Sequence, residues 1–154
     1  MSNTRSCPPA ALVPSLTMST TFGSLTNSEV IDSFEADNLA GEFHHIQHVR
    51  LAFAYLSEYA ALEVLRRFSL ALKQYTTARG KPQRYHETIT YAYLFLIRER
   101  MAQSPRADWD AFAEVNPDLF CWKPGILERY YRESTLKSDL ARSVFLFPDK
   151  IAEV

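Results

Sequence analysis

Glycine and cysteine are scarce in this chain: its 154 residues include 4 glycines and 2 cysteines. Few glycines, together with frequent Leu, Ala, Glu and Arg in the C-terminal three quarters, argue against a turn-rich β fold and favour helices. Cys7 lies in a stretch rich in Ser, Thr and Pro, so we expect no disulfide between Cys7 and Cys121. Cys121 is then expected to be a small buried residue, and the expected compartment is a reducing cytoplasm.

The chain also lacks long apolar runs and an excess of basic residues. No apolar stretch approaches the length of a membrane helix, and none near the N-terminus has the length of a secretion signal. The formal net charge is −1, which argues against a general nucleic-acid binder. Walker loops, dinucleotide fingerprints and the H-E-x-x-H and G-x-S-x-G motifs are absent as well. The expected partner is therefore a small molecule rather than nucleic acid or a membrane.

Composition divides the chain into two parts. Residues 1–36 are rich in Ser, Thr and Pro, and a segment of this kind cannot bury enough apolar surface to offset its ordering entropy, so it is predicted to be a disordered tail. Deleting residues 2–36 is accordingly expected to leave the thermal midpoint nearly unchanged. Residues 37–154 are predicted to form one helical domain, which is long enough to bury a core without disulfides or metals.

Apolar residues at helical spacing, interrupted by proline and glycine stops, predict an all-α fold. Three long helices form its frame, and two or three short C-terminal helices pack across them. The predicted long helices cover residues 39 or 42 to 56, 60–78 and 83–103. The predicted short helices cover residues 109–115, 124–133 and 138–147. The long helices are expected to run up, down and up in a single bundle.

Three of the four histidines lie close together in F-H-H-I-Q-H-V-R, residues 43–50. A helical wheel at about 100° per residue puts His45 within the apolar arc of the first long helix. It puts His48 on the margin of that arc and His44 towards the polar side. His86 faces the core from the start of the third long helix. In an up-down-up bundle these two helices begin at the same end, so His45, His48 and His86 are predicted to converge.

Three converging imidazoles are a ligand set for one transition metal ion, and imidazole suits Fe, Zn and Cu alike. The leading hypothesis from the sequence is therefore a mononuclear metal site that acts on a small molecule, as in a metal-dependent enzyme. Its metal ligands are His45, His48 and His86. Glu87, which follows His86 directly, is the candidate catalytic residue, either as a base acting on metal-bound water or as a hydrogen-bond partner of a ligand.

Two metal-free alternatives stay open. Thr90, Tyr93 and Tyr55 follow the histidines at helical spacing and are predicted to line a ligand cavity. With Arg50 and Arg84, such a cavity could bind a carboxylate or a phosphate near helix N-termini, or the domain could bind a partner protein. In the other alternative the histidines are ordinary core residues whose ring nitrogens are hydrogen-bonded.

Two short motifs carry a resemblance to a known family: F-x-H-x-x-H-V-R over residues 43–50 and Y-H-E-T-x-T over residues 85–90. They resemble those of a family of small bacterial all-helical proteins to which no activity is attached. The likeness covers about residues 43–149. It implies the same limits for the helical domain and implies nothing about its chemistry.

Overall fold

The computed structural model describes residues 22, 24–39, 43–123 and 125–150. All regular secondary structure in these ranges is helical, apart from one isolated bridge between Trp122 and Gly125. The all-α class predicted from the sequence is therefore confirmed. The α-helices in these ranges are α1 (Asn27–Glu35), α2 (His45–Glu58), α3 (Ala61–Ala78), α4 (Glu87–Gln103), α5 (Trp109–Val115), α6 (Glu133–Leu136) and α7 (Asp139–Ser143). Three short 3-10 helices cover Pro82–Arg84, Pro117–Phe120 and Ile126–Arg129.

The long helices α2, α3 and α4 each contact the other two, and local caps set their limits. The His44 N–H donates to Gln47 Oε1 at 2.8 Å, and α2 begins at His45, later than the predicted start at 39 or 42. Extended backbone at Tyr59 and Ala60 separates α2 from α3, where a break was predicted. α4 begins only at Glu87, because the turn Pro82–Arg84 is a separate element.

α2 is the central helix of the domain. Nine of its 14 residues are buried, which is the pattern of a helix packed against neighbours on several sides rather than along one stripe. α1, α3 and α4 supply those neighbours. A single apolar arc therefore underestimates how much of α2 is enclosed, and polar residues on more than one of its faces lie inside the protein.

The segment before α2 is partly ordered, so the predicted disorder of residues 1–36 is wrong for residues 27–35. Thr26 and Glu29 form a capping box, with reciprocal bonds of 2.7 and 3.2 Å between backbone N–H groups and side chains. Val30, Ile31 and Phe34 form one buried face in a helix that packs against α2. The prediction of disorder was made from the composition of residues 1–36 as a whole, which does not reveal a short amphipathic pattern. The predicted tail over residues 1–21 lies outside the described residues.

Helical structure after α5 is shorter than predicted. α5 begins where the sequence predicts, with Asp108 Oδ1 accepting from the Ala111 N–H at 2.9 Å. The predicted helices over 124–133 and 138–147 are reduced to the short elements Ile126–Arg129, α6 and α7. The chain after α7 is extended because α4 offers it a partner: the Thr88 hydroxyl donates to the Val144 carbonyl and accepts from the Leu146 N–H.

Two further sequence predictions concern Cys121 and the membrane. The Cys121 sulfur is disulfide-bonded, so the prediction of an ordinary buried thiol is wrong. Cys7, with which we expected no bridge, lies outside the described residues. Disulfides persist mainly in oxidising compartments, and cysteine usage therefore no longer supports the expected cytoplasmic location. Across the residues that the structure describes, no helix combines the length and the apolar character that crossing a membrane requires.

Candidate functional site

A cavity of about 690 Å³ lies between α2, α3 and α4. The first turns of α2 and α4 and the turn Pro82–Arg84 supply polar side chains to its wall, whereas residues further along α2 and α4 supply apolar ones. The polar members are His44, His45, His48, Thr76, Gln83, Arg84, Tyr85, His86, Thr90, Tyr93 and Arg142. The apolar members are Val49, Ala52, Phe68, Leu72, Ile89, Leu94, Ile97 and Trp122. All three histidines of the predicted metal site are therefore on the wall of one cavity.

His86 uses both of its ring nitrogens within the protein. Nδ1 accepts from the Ile89 N–H at 3.1 Å, which caps α4, and Nε2 lies 2.7 Å from the Leu136 carbonyl oxygen. A carbonyl only accepts, so Nε2 carries the proton and the ring is neutral. Burial lowers the pKa of His86, and the bond to Leu136 opposes this in part. His86 thus ties α4 to α6 and has no lone pair left for a metal.

His45 uses one ring nitrogen within the protein. Its Nε2 lies 2.7 Å from the Leu119 carbonyl oxygen, so this nitrogen is the donor. The ring also packs against Tyr93 and Trp122, with centroid distances of 5.0 and 5.1 Å. Burial lowers the pKa of His45, and the bond to Leu119 opposes this in part. His45 therefore links the start of α2 to the turn Pro117–Phe120.

His48 differs from both because neither of its ring nitrogens has a hydrogen-bond partner among the described residues. Its ring packs against Phe43 at a centroid distance of 4.1 Å and forms part of the cavity wall. Burial, and secondarily the nearby His45, lower the pKa of His48 to about 3. The imidazole is therefore neutral near pH 7, and it presents one donor and one acceptor to whatever occupies the cavity.

These contacts do not assemble the predicted metal site. No group of three or more His, Cys, Asp or Glu side chains within the described ranges could hold a metal ion. The physical reason is local: one of the three predicted ligands, His86, is already bonded at both nitrogens, and the remaining two histidines fall short of the three protein ligands that catalytic sites use.

Glu87, the predicted catalytic residue, is not part of the cavity wall. Its carboxylate lies 3.7 Å from the ammonium group of Lys73. A base has to come within hydrogen-bond reach of the proton that it removes. We therefore do not retain Glu87 as a catalytic residue of this site.

Arg50 and Tyr55 were predicted to bind the ligand, but both hold α1 instead. Arg50 donates to the Asn27 side-chain oxygen at 2.7 Å and to the Leu25 carbonyl at 3.2 Å. The Tyr55 hydroxyl donates to Glu35 at 2.8 Å. Neither residue lines the cavity. Their positions follow from α2 being buried on several faces, because the face that carries them is covered by α1.

Thr90 and Tyr93 line the cavity, as the helical spacing predicted. Burial raises the pKa of Tyr93, so its hydroxyl stays protonated and can donate. Sequence reasoning missed Arg142, whose Nη1 donates to the Gln83 carbonyl at 2.6 Å and reaches the Tyr85 carbonyl at 3.4 Å. Arg142 lies on the short helix α7, and no local pattern links that helix to a turn almost sixty residues earlier.

The charge of the cavity wall has one sign. Arg84 and Arg142 line it, and no acidic residue is among its described members. Neither arginine forms an ion pair with a carboxylate in the described part of the chain, whereas Arg66, Arg67 and Arg100 are each paired with one. The cavity thus combines the neutral imidazole of His48 with an apolar interior and with two guanidinium groups that have no carboxylate partner in the described ranges.

Comparison of the chain with known protein families, with curated proteins and with solved structures gives no match. The resemblance to the family of small bacterial proteins therefore stays a prediction, and the cavity is the feature from which a function can be inferred.

Proposed function

We propose that this chain is a ligand-binding helical domain whose cavity takes a small, mainly apolar molecule without a bound metal. The observation that carries the proposal is the cavity of about 690 Å³ between α2, α3 and α4. Small-molecule sites typically have volumes of roughly 300–1,000 Å³ and apolar walls with a few polar groups. Phe68, Leu72 and Leu94 supply such a wall, and His48 and Tyr93 supply polar groups.

Binding fits the chemistry of the wall better than catalysis. A general base works best when its pKa is near the operating pH, and the pKa of His48 is about 3. His45 and His86 each donate a hydrogen bond from Nε2 to a backbone carbonyl, and Glu87 is not a lining residue of the cavity. The wall therefore offers donors and acceptors for recognition, whereas Glu87 and the three histidines of the predicted metal site are poorly suited to moving a proton in this cavity.

The proposal includes the up-down-up course of the long helices that the sequence predicts. The residues that line the cavity support this course of the helices. The start of α2 and the start of α4 border it through His45 and His86, and the end of α3 borders it through Thr76. A middle helix that runs opposite to the other two accounts for this combination.

The test uses a neutral fluorescent probe, 1-aminoanthracene, whose emission rises in an apolar environment. We expect saturable binding of one equivalent. Ala52→Phe and Thr90→Phe, which add bulk on two different helices of the wall, should weaken binding by roughly tenfold or more, about 1.4 kcal/mol. Leu62→Phe is the matched control, because Leu62 is 82% exposed and is not a lining residue.

Two results would contradict the proposal. One is the absence of saturable binding, or equal binding by both cavity variants when circular dichroism shows them to be folded. The other is about one equivalent of Fe, Zn or Cu in protein purified without a histidine tag and lost in His48→Ala, which would restore the metal hypothesis.

A further inference from the structure

The charged side chains and the apolar side chains of the cavity come from different elements, which constrains the shape of a ligand. Gln83, Arg84 and Arg142 border it from the turn before α4 and from α7, while Ala52, Leu72 and Ile97 border it from the interior of the long helices. A uniformly apolar molecule would leave the arginine side without a partner. A uniformly polar molecule would have no partners among the apolar side chains. The wall matches a molecule with one polar end and an apolar body.

The polar part favours a negatively charged group. Arg142 is held in place by its bonds to the carbonyls of Gln83 and Tyr85 through Nη1, and its Nε and Nη2 have no described partner. A guanidinium group fixed in this way loses little freedom when it binds a planar anion through two parallel bonds. Arg84 adds a second positive charge on the same wall, and no described acidic side chain there competes for either.

His48 is the second, independent observation that points to a ligand. His48 is partly buried on the cavity wall, and neither of its ring nitrogens has a hydrogen-bond partner among the described residues, so its hydrogen-bonding capacity is open to a ligand. A neutral imidazole can donate one hydrogen bond to an anion. The N-termini of α2 and α4, which carry partial positive charge, border the cavity beside it through His45 and His86.

We propose that the ligand is an amphipathic monocarboxylic acid, with its carboxylate held by His48, Arg84 and Arg142 and its hydrocarbon body among Ala52, Phe68, Leu72, Leu94 and Ile97. This inference rests on the proposed function, since it requires that the cavity binds a ligand at all. A carboxylate is preferred to a phosphate because its planar fork matches the Nε–Nη2 edge of one fixed guanidinium group.

The experiment compares three ligands that share one hydrocarbon chain: decanoate, decanol and decylamine. Each is measured by displacement of 1-aminoanthracene. We expect decanoate to bind at least roughly tenfold more tightly than decanol, the size of one charge-assisted hydrogen bond. Decylamine should bind most weakly because its cation faces two arginines. The preference for decanoate should also weaken at high salt.

Variants locate the carboxylate. His48→Leu, Arg84→Met and Arg142→Met should each move the ratio of decanoate to decanol affinity towards one. Arg142→Lys should restore part of the ratio, because it returns the charge without the planar fork. Arg98→Met is the control, since Arg98 is exposed on α4 and is not a lining residue, and it should leave the ratio unchanged.

The outcomes separate this inference from the proposed function. If 1-aminoanthracene binds but decanoate and decanol compete equally, the carboxylate assignment is overturned and the ligand-binding function stands. If decyl phosphate binds more tightly than decanoate, the acid class is wrong. If neither the probe nor any of the ligands binds, both proposals fail together.

Discussion

α2 contributes polar side chains to two regions, which use them in opposite ways. On the face covered by α1, Arg50 bonds to Asn27 and to the Leu25 carbonyl, and Tyr55 bonds to Glu35. The guanidinium group of Arg50 also lies over the Trp109 ring at 5.3 Å. We call this set of contacts the α1 latch. Its polar groups are satisfied by the protein itself, so their effect is to hold an N-terminal helix in place.

On the side that faces α3 and α4, the polar groups of the cavity are only partly satisfied. His86 and His45 bond to backbone carbonyls, but His48 has no described hydrogen-bond partner. Both regions present polar side chains of α2 inside the protein or on the wall of its cavity. What distinguishes a binding surface from a structural contact here is the bonding capacity left over after folding, because only that capacity is open to a ligand.

The comparison assumes that α1 is docked on the rest of the domain, and the test of this docking has the largest expected effect. Phe34 is buried and stacks against Tyr75 at a centroid distance of 5.2 Å. Phe34→Ala should lower the free energy of unfolding in urea by about 3–5 kcal/mol. Asp32→Ala, at an exposed position of the same helix, should change it by less than about 0.5 kcal/mol. Equal stability of the two variants would mean that α1 is not part of the folded domain.

Two histidine substitutions test which histidines of the cavity stabilise the fold and which are open to a ligand. His86→Ala removes the cap of α4 and leaves the Leu136 carbonyl without its donor, so we expect a loss of about 2–4 kcal/mol. His48→Leu removes no hydrogen bond to a described residue and roughly conserves volume, so it should cost less than about 1.5 kcal/mol. Thermal and urea unfolding measure both. A larger cost for His48→Leu than for His86→Ala would reverse the assignment of structural and ligand-facing histidines.

The smallest expected effect is the loss in free energy of unfolding when the pH is lowered. The pKa of His48 is about 3 in the folded chain against about 6.5 for an unfolded histidine. Between these values the unfolded chain binds protons that the folded chain does not, so stability is full above pH 6.5 and falls as the pH is lowered. We expect His48 to account for about 1 kcal/mol of the loss between pH 7 and 5.5. Urea unfolding at both pH values checks this, and His48→Leu should show a smaller fall than the wild type.

The positions of the long helices could be predicted from the sequence, because helix formation depends on residues three and four positions apart along the chain. Apolar spacing predicted the three long helices, and Asp108 predicted the start of α5. The same periodicity put His45, His48 and His86 where one cavity could include them. α1, which the prediction missed, also has a local signature in the Thr26–Glu29 capping box, although the composition of residues 1–36 indicated disorder.

The role of each polar residue, in contrast, could be assigned only from the tertiary structure. His86 is structural because the Leu136 carbonyl, 50 residues away, accepts a hydrogen bond from its Nε2. Arg50 and Tyr55 serve the α1 latch because α1 covers their face of α2. Arg142 reaches the cavity because α7 docks on the turn before α4. Spacing along a helix shows which way a side chain points, but its partner comes from a remote segment, and the partner determines whether that side chain has a hydrogen bond left to offer.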